Sequence, residues 1–569
     1  MNSKTLSRLR IISALVMLVA LCFGVRLYFL QVMRQGNFKS LADKQYIKND
    51  GGIFSRGTIY FKGKDGDLIS AATLQSGFIL SINPRVLRDK EAVYAELAKI
   101  IPLSHDIFIA KVSKDDAYEE IAKKLTDSEA KAIKDQKIKG VSLYPMQWRF
   151  YPGGDTASHE LGLLGYDKNN NYGGRYGLER FYENTLERTA GDTYANFFVQ
   201  IFSDLKSTVS GDNTMQGDII ASIEPSVESS LEDSLQNIKD KWKAKEVGGI
   251  IMDPKTGEIY AMASLPLFDP NDFQGVKDVA VFSNPLVEEV REMGSIVKTL
   301  TIAAGLDAKL ITASTTYDDK GFMVVNTAKI WNHDHTINGR TTMQEVLDKS
   351  LNMGAAFVES KLGNLRFAKY MQAFGLEEKT GIDLPNEAQN LMTNLKSPRD
   401  VEYVTASFGQ GIAMTPISMI RALSALANGG ILVTPHVITK ISYGGGISKS
   451  TPLSKGARVI SATSSKQISD MLVNVVDKAL LGGRIKNPHY SIAAKTGTAQ
   501  IANQSGGGYY SDRFYHSFMG YFPASNPRFI ILLYALDPET NQFAADTLSE
   551  PFSNLSKFLI NYYQIPPDR

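Results

Sequence analysis

Apolar and polar positions fall along this chain in distinct regimes. Residues 11–25 (IISALVMLVALCFGV) carry no charge, and after Arg26 the apolar run resumes as LYFLQVM, ending at Met33. About 20 residues of helix cross a hydrocarbon layer ~30 Å thick. The span 11–33 therefore predicts one transmembrane helix, with Arg26 snorkelling toward the far interface. Lys4, Arg8 and Arg10 precede it, which predicts a cytoplasmic tail over 1–10 and export of everything after the anchor. No small-x-small cleavage site follows cleanly, and Leu21 stands where a lipoprotein signal would want a small residue before Cys22. The expectation is an uncleaved, single-pass anchor in the cell membrane.

Beyond a polar stretch the pattern shortens. GGIFSRGTIYF, LISAATL and GFILSINP read as short strands joined by glycine turns. EAVYAELAKII (91–101) and AYEEIAKKLTDSEAKAIKDQ (117–136) show helical spacing with Glu and Lys outward. Residues 141–222 are mixed and glycine-punctuated. A boundary falls near 215–245, where SIEPSVESSLEDSLQNIKDKWKA predicts a helix with Glu224 and Pro225 near its start. VGGIIMDPKTGEIYAMAS then predicts two strands around a turn. Thr415-Pro416 marks a helix start. The chain closes on the strands SIAAKTGTAQ, YHSFMGYFP and RFIILLYAL and an amphipathic helix, DTLSEPFSNLSKFLINYY. This organisation predicts a β-rich, non-catalytic pedestal over 34–222 and a large α+β domain over 223–569.

Composition narrows the function. With 62 Lys and Arg against 60 Asp and Glu, the formal charge is +2, so nothing marks a nucleic-acid binder. The lone cysteine, Cys22, excludes an intrachain disulfide and a cysteine-ligated zinc. His333-Asp334-His335 has no further ligand-type cluster close by and reads as a polar loop. No metal or organic cofactor is expected.

The seven histidines are too scattered to suggest a catalytic triad. Ser-x-x-Lys offers another way to activate a serine. Residues i and i+3 share a helix face, and a desolvated lysine loses basicity and can accept the serine proton. Three copies occur: Ser128/Lys131, Ser203/Lys206 and Ser295/Lys298. The first lies in a charged helix and the second has no suitable companions. The third opens the apolar helix GSIVKTLTIAAGL and is followed by Ser350-Leu351-Asn352 and then Lys495-Thr496-Gly497. That ordered triple is the set found in serine β-lactamases and penicillin-binding proteins. Decoys exist at Ser81-Ile82-Asn83, far upstream, at Lys255-Thr256-Gly257, in a hairpin turn, and at Lys379-Thr380-Gly381, in a loop; the copy at 495 runs straight into strand-like TAQI and is followed by two more strands. A strand edge can pair with an extended peptide, and Gly497 permits close approach.

The chain resembles the class B penicillin-binding proteins, most closely their division-specific type. The resemblance extends through SRGTI (55–59), RFYPGGDTASHELGLLG (149–165), GLERFYE (177–183), DPKTGEIYAMAS (253–264), REMGSIVKTLT (291–301), FGLEEKTGIDLP (374–385), FGQGIAMTP (408–416) and KTGTAQ (495–500). Three departures stand out: YFKGKDG replaces the usual Asp-Arg-Asn-Gly turn, Met293 the common proline, and Ile-Val the usual Thr-Phe of the nucleophile motif. The resemblance implies a penicillin-binding-protein/serine β-lactamase-like transpeptidase domain on an elongated, dimerisation-like pedestal.

It implies acyl transfer in which Ser295 attacks the carbonyl between the last two D-alanines of a stem peptide, with Lys298 as base. Ser350 would relay a proton to the leaving amine, and Asn352 would bond the acyl chain and orient Lys298. Lys495 would face the substrate carboxylate together with Thr496 and Thr498, beside Gly497. The backbone N–H groups of Ser295 and Thr498 would form the oxyanion hole. Implied partners are stem peptides ending in D-Ala-D-Ala, β-lactams as covalent inhibitors, a polytopic septal glycosyltransferase and other division proteins. Rival readings are a D,D-carboxypeptidase or β-lactamase-type hydrolase, and a non-catalytic scaffold or β-lactam sensor.

Overall fold

A computed structural model describes residues 56–188, 216–443, 446–452, 456–503, 507–539 and 543–569. The apolar span 11–33 and the pair Ser203/Lys206 lie outside the described residues. Among the described residues no helix is long and apolar enough to cross a membrane.

The pedestal is built on strands β1 (Ile59–Lys62), β2 (Leu68–Ile82), β3 (Glu119–Leu125), β4 (Val141–Phe150) and β5 (Gly217–Ala221). Two sequence expectations change here. LISAATL and GFILSINP form one 15-residue strand, β2, rather than two. Gly77 marks a close approach instead of a turn: a Cβ there would lie 2.4 Å from the Leu125 carbonyl oxygen and 2.9 Å from the Trp148 ring. The stretch 117–136 is not one helix either. Glu119–Leu125 pairs antiparallel with β2, and only Asp127–Asp135 is helical, started by a Thr126–Glu129 capping box. Strand β3 lies at the end of the sheet, where Glu and Lys side chains protect an unpaired edge. The same charges read as a helix surface in sequence.

Within the pedestal the family-like stretches meet in one buried ion network. Arg56 Nε lies 2.7 Å from Glu179, Arg149 Nε lies 2.6 Å from the other oxygen of that carboxylate, and Arg56 also reaches Glu183 at 2.7 Å. Tyr151 donates its hydroxyl to Glu179 as well. Burial pushes the Glu179 carboxyl up, but Arg149 and Arg56 outweigh it and hold it below its ordinary range.

The larger domain opens with helix α1 (Pro225–Trp242), whose first turn is capped by the Glu224 side chain accepting from Val227 N. Strands β6 (Glu246–Met252) and β7 (Ile259–Leu265) follow. Next come helices α2 (Val297–Asp307), α3 (Asn352–Leu362) and α4 (Pro416–Ala427), and strands β8 (Ile438–Tyr443) and β9 (Ser448–Ser450). The chain ends with helix α5 (Ala462–Asn474), strands β10 (Ala493–Ala502), β11 (Tyr509–Phe522) and β12 (Phe529–Leu536), and helix α6 (Ala544–Tyr562). The five-stranded antiparallel sheet runs β10-β11-β12-β6-β7. Central strand β12 is buried along nearly its whole length, as a strand covered on both faces must be. Helices α1 and α6 pack on the sheet and on each other, and α2, α4 and α5 form the helical layer. Every residue of α2 from Val297 to Leu306 is buried.

Strands β8 and β9, although late in the chain, extend the pedestal sheet: the order is β9-β8-β5-β1-β2-β3, with β4 also paired to β2. Asp383 fixes this return by accepting from the backbone N–H groups of Val437 and Ile438 at 2.6 and 2.8 Å. Tyr182 of the pedestal donates to the same carboxylate. The chain therefore crosses back at 438–450, and a single cut near residue 222 does not divide the sheet.

Candidate active site

Ser295 occupies the single 3₁₀ turn Gly294–Ile296 that leads into α2. It is the one half-exposed residue in a run of buried neighbours from Met293 to Leu300. Gly294 takes φ +59° there, and a Cβ would lie 2.8 Å from the Thr498 carbonyl oxygen. Gly409 of the FGQG stretch presses on the other side, where a Cβ would meet the Gly294 carbonyl oxygen at 2.2 Å. A Cβ on Gly497 would sit 2.4 Å from Ser517 Oγ and 2.6 Å from the Met293 carbonyl oxygen. Backbone thus packs on backbone at these glycines. Ser517 bolts the turn by donating to the Met293 carbonyl at 2.9 Å, and Thr301 ties α2 to the carbonyl of Ser407 at 2.7 Å.

One turn along α2, Lys298 is fully buried. Its Nζ donates to the Ser350 carbonyl at 2.5 Å and to the Ser350 hydroxyl at 3.3 Å. Burial, and then the neighbouring charge of Lys495, hold its amine well below the ordinary lysine range. Lys495 Nζ donates to the same Ser350 hydroxyl at 3.0 Å and to the Thr496 carbonyl at 3.0 Å. Burial lowers its pKa to about 8, with Asp348 pulling the other way. Ser350 sits at φ +55°, a left-handed conformation that a non-glycine residue adopts only when its surroundings enforce it. Here the turn between helix Met343–Asp348 and α3 aims its hydroxyl at both lysines.

Asn352 lines a groove beside Ser350. Its Nδ2 donates to the Trp331 carbonyl at 2.9 Å, so it fastens the loop ahead of Ser350, and the hydrogen bonds of Lys298 go to Ser350 instead. On β10 the alternation of the strand buries Lys495, Gly497 and Ala499 and leaves Thr496, Thr498 and Gln500 half-exposed. Thr498 Oγ1 accepts from Ala544 N at 3.2 Å, which joins the strand to the start of α6. Strand β10 is the outer strand of its sheet, so its free edge is open to an extended chain.

These groups line one groove of about 690 Å³ containing Ser295, Ser350, Asn352, Lys495, Thr496 and Thr498. The decoys lie elsewhere: Ser81 is buried in β2, Ser128 lies on the capped helix Asp127–Asp135, and Lys255 and Lys379 lie in turns or loops. The groove also contains residues that motif reading did not assign: Trp331, His333, His335, Asp348, Gln410 and Phe543. The segment 333–335 is the exposed polar loop expected, yet it borders the groove. The FGQG stretch was visible in sequence as a family-like run, but nothing local gave it a place. Among the described residues, no group of three or more His, Cys, Asp and Glu side chains could hold a metal.

A serine beside a buried amine, a second lysine sharing one hydroxyl, and a free strand edge define a serine acyltransferase of the penicillin-binding type. The chain belongs to the class B penicillin-binding proteins. Residues 247–556 match the family described as penicillin binding protein transpeptidase domain, and residues 55–200 match the penicillin-binding protein dimerisation domain. The chain is 30% identical over 560 residues to stage V sporulation protein D of Bacillus subtilis, covering 95% of this chain and 83% of that protein. It is 25% identical to peptidoglycan D,D-transpeptidase FtsI of Escherichia coli K12, covering 79% and 73% of the two chains. The fold is similar to that of penicillin-binding protein 3 of a Mycobacterium species in complex with aztreonam, with TM-score 0.68, 22% identity and coverage of 90% and 97%. Penicillin-binding protein 2X of Streptococcus thermophilus superposes with TM-score 0.72 at 18% identity, covering 90% and 80%.

Proposed function

We propose that this chain is a peptidoglycan D,D-transpeptidase of septal wall synthesis, acting through a Ser295 acyl-enzyme and acylated by β-lactams at the same serine. The observation that carries the site assignment is the hydrogen-bonded chain Lys298–Ser350–Lys495, whose Ser350 and Lys495 line one groove with Ser295. Lys298, held below its ordinary range by burial, accepts the Ser295 proton as Oγ attacks the carbonyl between the terminal D-alanines. Ser350 passes that proton to the departing D-alanine amine. Lys495 offers charge to the substrate carboxylate, with Thr496 and Thr498 as hydroxyl donors on the β10 edge. The N–H groups of Ser295 and Thr498 form the oxyanion hole, one such donor being worth about 2.7–4 kcal/mol at the transition state. Asn352 holds the Trp331 carbonyl and so shapes the groove wall. A second strand's amine, rather than water, then takes the acyl group.

The apolar span 11–33 and its preceding basic residues support a single-pass membrane anchor with the catalytic domain outside the cytoplasm. A polytopic septal glycosyltransferase and other division proteins are the partners that such a role calls for. The test is intact-mass spectrometry after incubation with benzylpenicillin, run beside Ser295→Ala. A stable one-to-one adduct in the parent and none in the variant supports the acyl-enzyme. Rapid drug turnover without adduct would point to a hydrolase, and folded protein showing neither would refute the enzyme reading. A cross-linking assay on stem peptides then separates transpeptidase from carboxypeptidase.

A further inference from the structure

The mechanism above assigns no group to the first proton of the incoming amine. An acceptor amine is protonated at neutral pH and cannot attack an ester until it loses a proton. Lys298, free again once its proton has left with the D-alanine, can take one proton in returning it to Ser295, and an ammonium acceptor must lose two. Two imidazoles line the groove, His333 and His335, in the loop between Trp331 and Gly339. His335 packs against Trp331, whereas His333 is the one that feels the charges of Lys298 and Lys495. Among the described residues its ring nitrogens make no hydrogen bond, and its one ring contact is edge-on to Phe543, at 6.3 Å between centroids. Phe543 directly precedes Ala544, whose N–H bonds Thr498. The imidazole is therefore placed by a link between the loop ahead of Ser350 and the strand beside Ser295. Trp331 and Asn352 pin the base of that loop.

The charges around it are mixed. Lys298 of α2 and Lys495 of β10 act on the imidazole from the groove floor, and Asp334 acts from its own loop. Asp348, Lys349, Lys329 and His335 line the same groove. Partial desolvation, then Lys298, and Lys495 after the opposing Asp334, hold the imidazole below its ordinary range. It is thus neutral and able to accept a proton near pH 7.

We propose that His333 is the acceptor-side base, taking a proton from the incoming amine before that amine attacks the Ser295 ester. This inference rests on the transpeptidase reading. An amine arriving as R–NH₃⁺ gives one proton to a ring nitrogen of His333, leaving R–NH₂ and an imidazolium. The nitrogen lone pair forms the C–N bond at the ester carbonyl, and the C–Oγ bond breaks as the tetrahedral adduct collapses. The second nitrogen proton passes through the Ser350 hydroxyl and Lys298 to Ser295 Oγ, and the imidazolium returns its proton to solvent. Lys298 and Ser350 thus run their acylation roles in reverse, and His333 acts only when an acceptor is present.

The experiment uses the full chain in detergent, comparing the parent with His333→Gln and His333→Ala. The substrates are a stem-peptide donor ending in D-Ala-D-Ala and a primary-amine acceptor. The readout is the ratio of amine-captured product to acyl-enzyme formed, followed from pH 6 to 9. The ratio should fall by about 10²-fold or more in both variants, the lower end of what a positioned proton acceptor supplies. Above pH 7, where the imidazole is neutral, the parent's ratio should be nearly flat, whereas the variants' ratio should climb with pH as free amine accumulates, and added imidazole should restore part of the ratio in His333→Ala. A ratio within about twofold of the parent's, or a parallel fall in acylation and capture, would overturn the proposal. A parent that forms no acyl-enzyme would overturn the transpeptidase reading and this inference together. A productive parent with an unchanged variant ratio would overturn the inference alone.

Discussion

Lys495 and Ser350 stand 145 residues apart in sequence and 3.0 Å apart in space, Nζ to Oγ. Lys298 reaches the same oxygen at 3.3 Å. Two buried amines sharing one hydroxyl disfavour each other's charge, so the site favours a neutral amine beside Ser295.

That electrostatic arrangement sets the pH dependence of acylation. In the proposed mechanism Lys298 acts as the free amine, so the rate of β-lactam acylation should rise with pH as the lysine loses its proton. Because burial and Lys495 hold the amine well below the ordinary 10.5, the rise should be complete well before that pH. Lys298→Ala should lose the limb and react about 10²–10⁴-fold more slowly. Stopped-flow acylation of parent and variant from pH 5 to 10 checks both.

Lys495 serves the site at a cost to stability. Its folded-state pKa, about 8, lies below the ordinary 10.5, so between those values the unfolded chain binds the proton and the folded chain does not. Stability from this group is present above pH 10.5, declines as pH falls, and is fully lost below about 8. Lys495→Met should therefore raise stability at pH 7 by about 1–3 kcal/mol while abolishing transpeptidation. Denaturant unfolding at pH 7 and 10 should show the gain shrinking at the higher pH.

Gly497→Ala places a Cβ 2.4 Å from Ser517 Oγ and 2.6 Å from the Met293 carbonyl oxygen. The serine side chain can rotate, but the carbonyl belongs to the nucleophile turn and must move with it. The variant should lose about 1–3 kcal/mol of stability. Its benzylpenicillin acylation should slow by about 10²-fold, as small misplacements at a reacting centre do. Thermal melts and acylation kinetics measured together separate displacement of the turn from unfolding.

The pedestal rests on Glu179, which pairs two arginines that are themselves buried. Glu179→Ala leaves both guanidinium groups without their shared carboxylate and should cost about 3–5 kcal/mol. Glu179→Gln, which keeps the shape and two polar atoms, should cost less. Calorimetry on the two variants would show whether charge or packing dominates: equal losses would favour charge, and a loss confined to Glu179→Ala would favour packing.

The groups proposed to react were singled out in sequence because their signals are local. Ser295 and Lys298 need only one helical turn, Lys495 to Gly497 only a strand's alternation, and Ser350 and Asn352 only their spacing. The strands of the central sheet and helices α1 and α6 followed in the same way, from runs of apolar residues bounded by turn and cap residues. Segment 119–125 was misread because charged residues at the edge of a sheet repeat much as they do on a helix surface. Gly77 was misread because a glycine required by a close neighbour looks like one required by a turn.

What only the tertiary structure decided are the joins between distant segments. It set β8 and β9 into the pedestal sheet, turned Asn352 to Trp331, and brought His333 and Phe543 to the groove from positions 210 apart. The chain itself determined which residues carry chemistry, since backbone period and side-chain type act within a few residues. Which of them meet depends on how buried apolar faces and close-packed glycines fit across the whole domain, and that long-range fit has no local signature.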